Sequence, residues 1–121
     1  MGDTSNEQTQ SWGGCGHVHL ESLLWQQRIW SEKTFGPGRR VEGTVDHIQS
    51  ELEEIKASPR DVEEWIDVVI LAFDGAWRAG YTPDQIVDAL VKKCEKNRQR
   101  SWPDWRTAPA NKAIQHKKRN P

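Results

Sequence analysis

Two pairs of carboxylates with the same spacing are the residues in this sequence best suited to do chemistry. Glu51 and Glu54 are three positions apart, and so are Glu64 and Asp67. Residues three apart on a helix project from the same face. If the two segments pack as neighbouring helices, the carboxylates converge, and a cation among them relieves their mutual repulsion. Because Mg²⁺ and Mn²⁺ prefer such oxygen ligands, the spacing predicts a divalent-metal site that handles phosphates.

A fifth carboxylate, Asp74, lies close to this pattern in an apolar part of the chain. Asp67 and Asp74 border the longest apolar run, residues 68–73, and on a helix they lie nearly on one line. A buried carboxylate without a partner is costly, so each needs a cation or hydrogen-bond donors. This cost is the strongest physical argument for a site in this region.

The segment 34–40 is a second candidate for ligand contact. It has a proline between two glycines, and with Lys33 it carries the cationic side chains of Arg39 and Arg40. Glycines allow close backbone approach, and guanidinium groups bind phosphate well. The segment is not a Walker loop, because no G-K-[ST] follows. Taken alone, the segment is better explained as a plain turn between helices, and phosphate contact stays open as the alternative.

Other reactive residue types give weaker patterns. Cys15, His17 and His19 could contribute to a zinc site, but no fourth ligand is evident, so zinc is not favoured. Nothing in the spacing indicates a Ser-His-Asp or Cys-His arrangement. Of the seven tryptophans, those outside the helical stripes are expected to pack on their own domain rather than on a base.

Hydrophobic periodicity and capping signals predict an all-α chain. The predicted helices cover residues 17–33, 41–57, 59–79 and about 83–100, with a short helical turn at 111–116. Ser58 and Pro59 are read as the N-cap and first residue of the third helix, and Thr82 with Gln85 as a capping box before the fourth. The predicted core stripe of the third helix consists of Val62, Ile66, Val69, Phe73 and Trp77.

The predicted organisation is a disordered lead at residues 1–16, one helical domain at 17–105 and a basic tail at 106–121. The net charge of −1 conceals an acidic centre, residues 42–67, and a basic segment from residue 92 onward. Such asymmetry suits a ligand that carries both metal and phosphate, or two oppositely charged solvated faces. Two cysteines, no long apolar run and a polar start without a signal-peptide core predict a cytoplasmic protein.

Three stretches of the sequence resemble a known family. The E-x-x-E and E-x-x-D pairs on successive helices resemble the MazG-like all-α nucleoside triphosphate pyrophosphohydrolases, which include the dimeric dUTPases. The stretches 34–40, 64–80 and 93–104 are similar to the phage dATP/dGTP diphosphohydrolase branch (MazZ). The resemblance extends over about residues 20–116.

This resemblance implies a four-helix MazG-like bundle that assembles as a homodimer or homotetramer. It implies an enzyme that uses two or more Mg²⁺ or Mn²⁺ ions to cleave dATP and dGTP to the monophosphate and diphosphate. A phage-encoded enzyme of this kind would act in the cytoplasm of the host bacterium. There it would adjust the nucleotide pool for DNA that contains 2-aminoadenine. The residues that match the family's metal ligands are Glu51, Glu54, Glu64 and Asp67.

The resemblance also suggests roles in the reaction. Glu51 and Glu54 are the catalytic carboxylates, and Glu54 is the candidate that takes a proton from the attacking water. The attack falls on the α-phosphorus and expels diphosphate, whose charge cationic side chains help to bear. The candidates for substrate contact are Trp30, Lys33, Arg39, Asp74, Lys93 and Asn97.

The alternative function is a non-catalytic helical module whose acidic face docks a basic partner or its own basic tail. That hypothesis predicts no bound divalent ion and binding that weakens with salt. A regulator that binds nucleic acid through the basic tail has little support, since the centre of the chain is acidic. The expected partners are therefore a purine deoxynucleoside triphosphate and further copies of the chain, without nucleic acid or membrane.

Overall fold

The computed structural model describes residues 18–118, and this part of the chain is helical. The α-helices are α1 (Leu20–Phe35), α2 (Val41–Ala57), α3 (Val62–Arg78) and α4 (Pro83–Gln99), followed by a 3₁₀ helix at Trp105–Thr107. No strand occurs within residues 18–118, so the prediction of an all-α chain with four helices is confirmed there. The predicted disordered lead at residues 1–16 lies outside the described residues.

The predictions for α2 and for the start of α4 are confirmed. The bounds of α2 are those predicted, and α4 begins with the predicted capping box. In that box, the Gln85 side chain accepts a hydrogen bond from the Thr82 backbone N–H at 2.9 Å. The Thr82 hydroxyl oxygen in turn accepts one from the Gln85 N–H at 3.2 Å. Reciprocal bonding of this kind satisfies the free N–H groups of a first turn.

The predicted start of the third helix is wrong. Ser58 is instead the C-cap of α2, where its N–H donates to the Glu54 carbonyl at 2.9 Å, and a turn at residues 59–60 separates it from α3. Asp61 is the N-cap of α3, and its carboxylate accepts from the Glu63 N–H at 3.0 Å. The predicted helical turn at 111–116 is also absent, and the 3₁₀ helix forms earlier, where Asp104 caps it.

The core of the first part of the chain joins α1, α3 and the start of α4. Leu24, Trp77 and Ile86 are buried together, and partly buried apolar side chains surround them: Leu20, Phe73, Ala76 and Val87. Helix α3 also packs against α2, which is its most extensive helix contact. Helix α3 therefore supports both the core and the face that carries the acidic residues.

The predicted core stripe of α3 is only half correct. Trp77 is 2% exposed and Phe73 is half-buried, as predicted. At the other end of the helix, Val62, Ile66 and Val69 are 67%, 46% and 43% exposed. Periodicity identified the apolar face correctly, but within the described single chain nothing covers its first half.

The chain divides into two compact units, one ending at Val87 and the other beginning at Asp88. The second unit contains the rest of α4 and the segment that follows it. Within the described residues, no helix combines the length and apolar character needed to cross a bilayer.

Candidate functional site

The hairpin of α2 and α3 brings three of the predicted metal ligands together. Glu51 from α2 and Glu64 and Asp67 from α3 each offer a carboxylate oxygen within 4.8 Å of the other two. The turn at residues 58–61 is short, so the two helices pack side by side and their acidic positions meet. Three carboxylates at this separation form a donor set that suits a hard divalent cation.

Glu54 lies outside this trio but acts on it electrostatically. The pKa of Glu64 is raised, first by lost hydration and then by the negative charges of Glu54, Asp61, Glu51 and Asp67. Like charges that crowd a carboxylate disfavour its ionised form. A cation bound among these groups would remove that repulsion, so the electrostatics and the geometry both favour metal binding.

An open pocket of about 270 Å³ adjoins the acidic trio. Glu51 and Asp67 line it together with Trp30, Phe35 and His47. The rings of Trp30 and Phe35 meet edge to face, with centroids 5.6 Å apart and an interplanar angle of 85°. The pocket therefore places aromatic surface beside candidate metal ligands, a combination that suits a ligand with both an aromatic ring and metal-bound phosphates.

His47 is a pocket residue that the sequence analysis did not select. Its Nε2 lies 3.4 Å from Oε1 of Glu51, one helical turn away on α2. The spacing of four residues was the signal that could have identified it, because such pairs meet on a helix. His47 thus contacts a candidate metal ligand and lines the adjoining pocket.

The carboxylate of Asp74 has the hydrogen-bond donors that its position was predicted to need. Oδ1 accepts from the Ser31 hydroxyl at 2.5 Å and from Trp77 Nε1 at 3.0 Å. Oδ2 accepts from Arg78 Nε at 2.6 Å. Both oxygens are therefore engaged within the protein, which ties α1 to α3.

The buried guanidinium of Arg78 extends this network to the loop between α1 and α2. Its Nη1 donates to the carbonyl oxygens of Gly36 and Gly38, at 2.7 and 3.0 Å. Both glycines have φ near 90°, a backbone conformation that residues with a Cβ atom rarely adopt. Arg78 thus fixes the loop that was predicted to contact phosphate. Arg78 is not among the predicted site residues, although its spacing of four residues from Asp74 was a usable signal.

The other predicted substrate contacts lie in different places. Lys33 and Arg39 are exposed at the end of α1 and in the following loop. In the second unit, Lys93 is exposed and Asn97 is half-buried. The Asn97 side-chain oxygen accepts from Arg100 Nη1 at 3.0 Å, so the structure gives that amide a local partner.

The helices and the acidic trio define the class of protein. The chain is similar to the MazG-like pyrophosphohydrolase of cyanophage S-2L, with 31% identity and a TM-score of 0.64. This match covers 84% of the present chain and all of the other, whose structure holds dGDP and three catalytic Mn²⁺ ions per active site. The chain is thus an all-α protein of the MazG-like class.

A narrower family follows from the sequence match. The model of the dATP/dGTP pyrophosphohydrolase family matches residues 24–120, and the chain belongs to this family. It is also 39% identical over 84 residues to the Eaa protein of Salmonella phage P22. That match covers 69% of this chain and 26% of the relative, so the chain spans about a quarter of the relative's length.

The family resemblance predicted from the motifs is therefore confirmed. The expected divalent-metal dependence agrees with the acidic trio and with the Mn²⁺ ions in the related structure. The roles of individual side chains stay predictions.

Proposed function

We propose that the chain hydrolyses purine deoxynucleoside triphosphates, dATP and dGTP, to the monophosphate and diphosphate. The observation that carries this proposal is the convergence of Glu51, Glu64 and Asp67 in a member of this family. Glu54 completes the proposed ligand set, which would hold two or more Mg²⁺ or Mn²⁺ ions. When bound there, such ions would neutralise phosphate oxygens and make a nearby water more acidic.

The pocket beside the trio is the proposed substrate site. The purine would contact Trp30 and Phe35, while the phosphates would extend toward Glu51 and Asp67. Aromatic side chains stack on nucleotide bases. In this orientation the aromatic rings would bind the base, and the acidic residues with their metal ions would bind the phosphates. The dGDP in the related cyanophage structure supports a purine nucleotide as ligand.

Hydrolysis needs a base and a way to stabilise the leaving group. The proposed base is Glu54, through a carboxylate oxygen that is not bound to metal, and it takes the proton as the water oxygen bonds to the α-phosphorus. The bond from the α-phosphorus to the bridging oxygen breaks, and the diphosphate leaves with that oxygen. The cations proposed to bear its charge, or to hold the phosphates beforehand, are Lys33, Arg39 and Lys93, with Asn97 as a neutral contact.

We propose that Asp74 acts on the substrate indirectly, because it helps to position the loop beside the pocket. Its oxygens bond Ser31, Trp77 and Arg78, and Arg78 in turn holds the loop at Gly36. Through these contacts Asp74 would orient the loop beside the pocket and so assist substrate orientation.

The exposed half of the α3 stripe supports assembly with further copies of the chain. Val62, Ile66 and Val69 form one helical face and remain exposed, along with the neighbouring Trp65. An exposed apolar face of this kind is typical of a surface that another protein chain covers. We therefore include a homodimer or homotetramer in the proposal, to be measured by light scattering coupled to size-exclusion chromatography.

The biological setting is part of the same proposal. Related sequences occur in phages, which supports action in the cytoplasm of an infected bacterium. Removal of dATP and dGTP there would adjust the nucleotide pool for DNA in which 2-aminoadenine replaces adenine.

Product analysis of the purified chain with the four deoxynucleoside triphosphates tests the function. Each reaction is run with Mg²⁺, with Mn²⁺ and with chelator, and the products are separated by chromatography. We expect dAMP, dGMP and diphosphate only with metal, and little product from pyrimidines. Release from every base would retain the chemistry and reject purine selectivity. No product with either metal would reject the enzyme in favour of the acidic docking module.

A further inference from the structure

The second unit contains a basic pocket that the proposed reaction does not use. It is an open cavity of about 700 Å³ between the end of α4 and the segment near residue 117. Its cationic side chains are Lys96, Arg100, Lys117 and Lys118, and His116 also lines it. The volume lies within the range of roughly 300–1,000 Å³ that small-molecule sites occupy.

Specific contacts hold the walls of this pocket together. The Lys117 backbone N–H donates to the Ser101 carbonyl at 2.7 Å, which joins the late segment to the end of α4. The rings of Trp102 and His116 meet edge to face, with centroids 5.8 Å apart. Trp102 Nε1 also donates to the Asn97 carbonyl at 2.7 Å. The basic side chains are therefore presented by a connected backbone.

In the part of the second unit that the structure describes, the cationic side chains of the pocket form no salt bridge. Across residues 18–118, no carboxylate lies within ion-pair distance of its lysines or of Arg100. The carbonyl end of α4 favours Lys96 and Arg100, as helix ends favour cations. That effect does not account for Lys117 and Lys118, which come from the later segment. Cations gathered from two segments repel one another, and an anion between them relieves this repulsion.

We propose that this pocket binds a phosphate chain without a metal ion, either as free diphosphate or as part of a nucleotide. Lysines and arginines that converge from two segments can contact several phosphate oxygens at once, and such charge-assisted hydrogen bonds are strong. The site uses residues other than the acidic trio, so the proposal does not depend on the proposed hydrolysis.

Calorimetric titration of the full chain tests this site, in chelator and at low ionic strength so that no turnover occurs. The ligands are diphosphate, dGTP and deoxyguanosine. The test variant is Lys96→Gln/Lys117→Gln, since both side chains are exposed and their loss leaves the fold intact. The matched control is Lys92→Gln/Arg106→Gln, which removes the same charge from residues paired to Asp88 and Asp104 outside the pocket.

We expect diphosphate or dGTP to bind the wild type and the control, and to bind the test variant at least roughly tenfold more weakly. Comparison of the two affinities then shows whether free diphosphate or the nucleotide is the preferred ligand. Equal weakening in both charge variants would show a general charge effect and overturn the proposal. The proposal would also be overturned if no phosphate ligand bound, or if the test variant weakened deoxyguanosine binding as much as it weakened dGTP binding.

The Asp67→Asn variant separates this site from the acidic one. Phosphate binding in chelator should be the same in this variant as in the wild type, because the pocket does not contain Asp67. If Asp67→Asn changed the affinity while Lys96→Gln/Lys117→Gln did not, the anion would belong to the acidic site and the inference would fail.

Discussion

The buried Arg78 gives the sharpest test of how this structure is stabilised. Its side chain is 2% exposed and pairs with Asp74 at 2.6 Å. It also bonds Ser31 and the carbonyls of Gly36 and Gly38. In Arg78→Met, a side chain of similar length removes every one of these hydrogen bonds while it retains most of the packing.

The expected loss of unfolding free energy is about 3 kcal/mol. Breaking a buried ion pair by removal of one partner costs about 3–5 kcal/mol. The lower figure applies because Asp74 keeps its bonds from Ser31 and Trp77. The measurement is urea unfolding followed by tryptophan fluorescence, at one fixed protein concentration because assembly would couple stability to concentration.

An exposed pair of the same chemistry provides the control. Arg106 is 71% exposed and pairs with Asp104, so Arg106→Met should change stability by only about 0.5 kcal/mol. Asp74→Asn combined with Arg78→Met should be less destabilising than the sum of the single changes, since no unpaired buried charge remains. If Arg78→Met cost no more than Arg106→Met, the argument from burial and hydrogen bonding would be refuted.

Three further predictions concern the site. Asp67→Asn should lower kcat/KM roughly 100-fold or more and abolish the rise in Tm on adding Mn²⁺, whereas Asp46→Asn, an exposed acid of α2, should do neither. Trp30→Ala should raise KM about tenfold through lost stacking, whereas the control Trp105→Ala should leave the kinetics unchanged. Unchanged kinetics in Trp30→Ala would exclude a role of Trp30 in substrate binding. The raised pKa of Glu64 means that the folded chain binds its proton more readily than the unfolded chain. Metal-free stability should therefore fall as pH rises from the ordinary carboxyl pKa through the raised value, and Glu64→Gln should flatten this slope in urea titrations. An identical slope in that variant would contradict this electrostatic account.

The sequence predicted the elements of the fold well where local signals control them. Reciprocal bonding fixes the start of α4 at Thr82, and periodicity located the bounds of α2. The start of α3 was misplaced because Ser58 and Asp61 both suit an N-cap. The choice between them depends on where the chain turns. Residues 59–60 form the turn after α2, which leaves Asp61 to accept the hydrogen bond from the Glu63 N–H.

The spacing of acidic residues predicted the candidate metal site, but the packing of α2 on α3 decided its membership. Glu51, Glu64 and Asp67 meet, whereas Glu54 stands outside the trio. Spacing of three residues places side chains on the same side of a helix without fixing how the facing helix is rotated. That rotation comes from tertiary packing, and so does the entry of His47 into the pocket.

By itself, the sequence determined the helical class, the acidic pairs, the family and the need of Asp74 for donors, because each follows from residue types and their spacing along the chain. Only the tertiary structure decided which donors Asp74 receives and which loop Arg78 holds. The partners Ser31 and Gly36 lie 43 and 42 residues away in sequence from the side chains that bond them. Contacts at that separation form only when α1 packs on α3, and no local pattern encodes them.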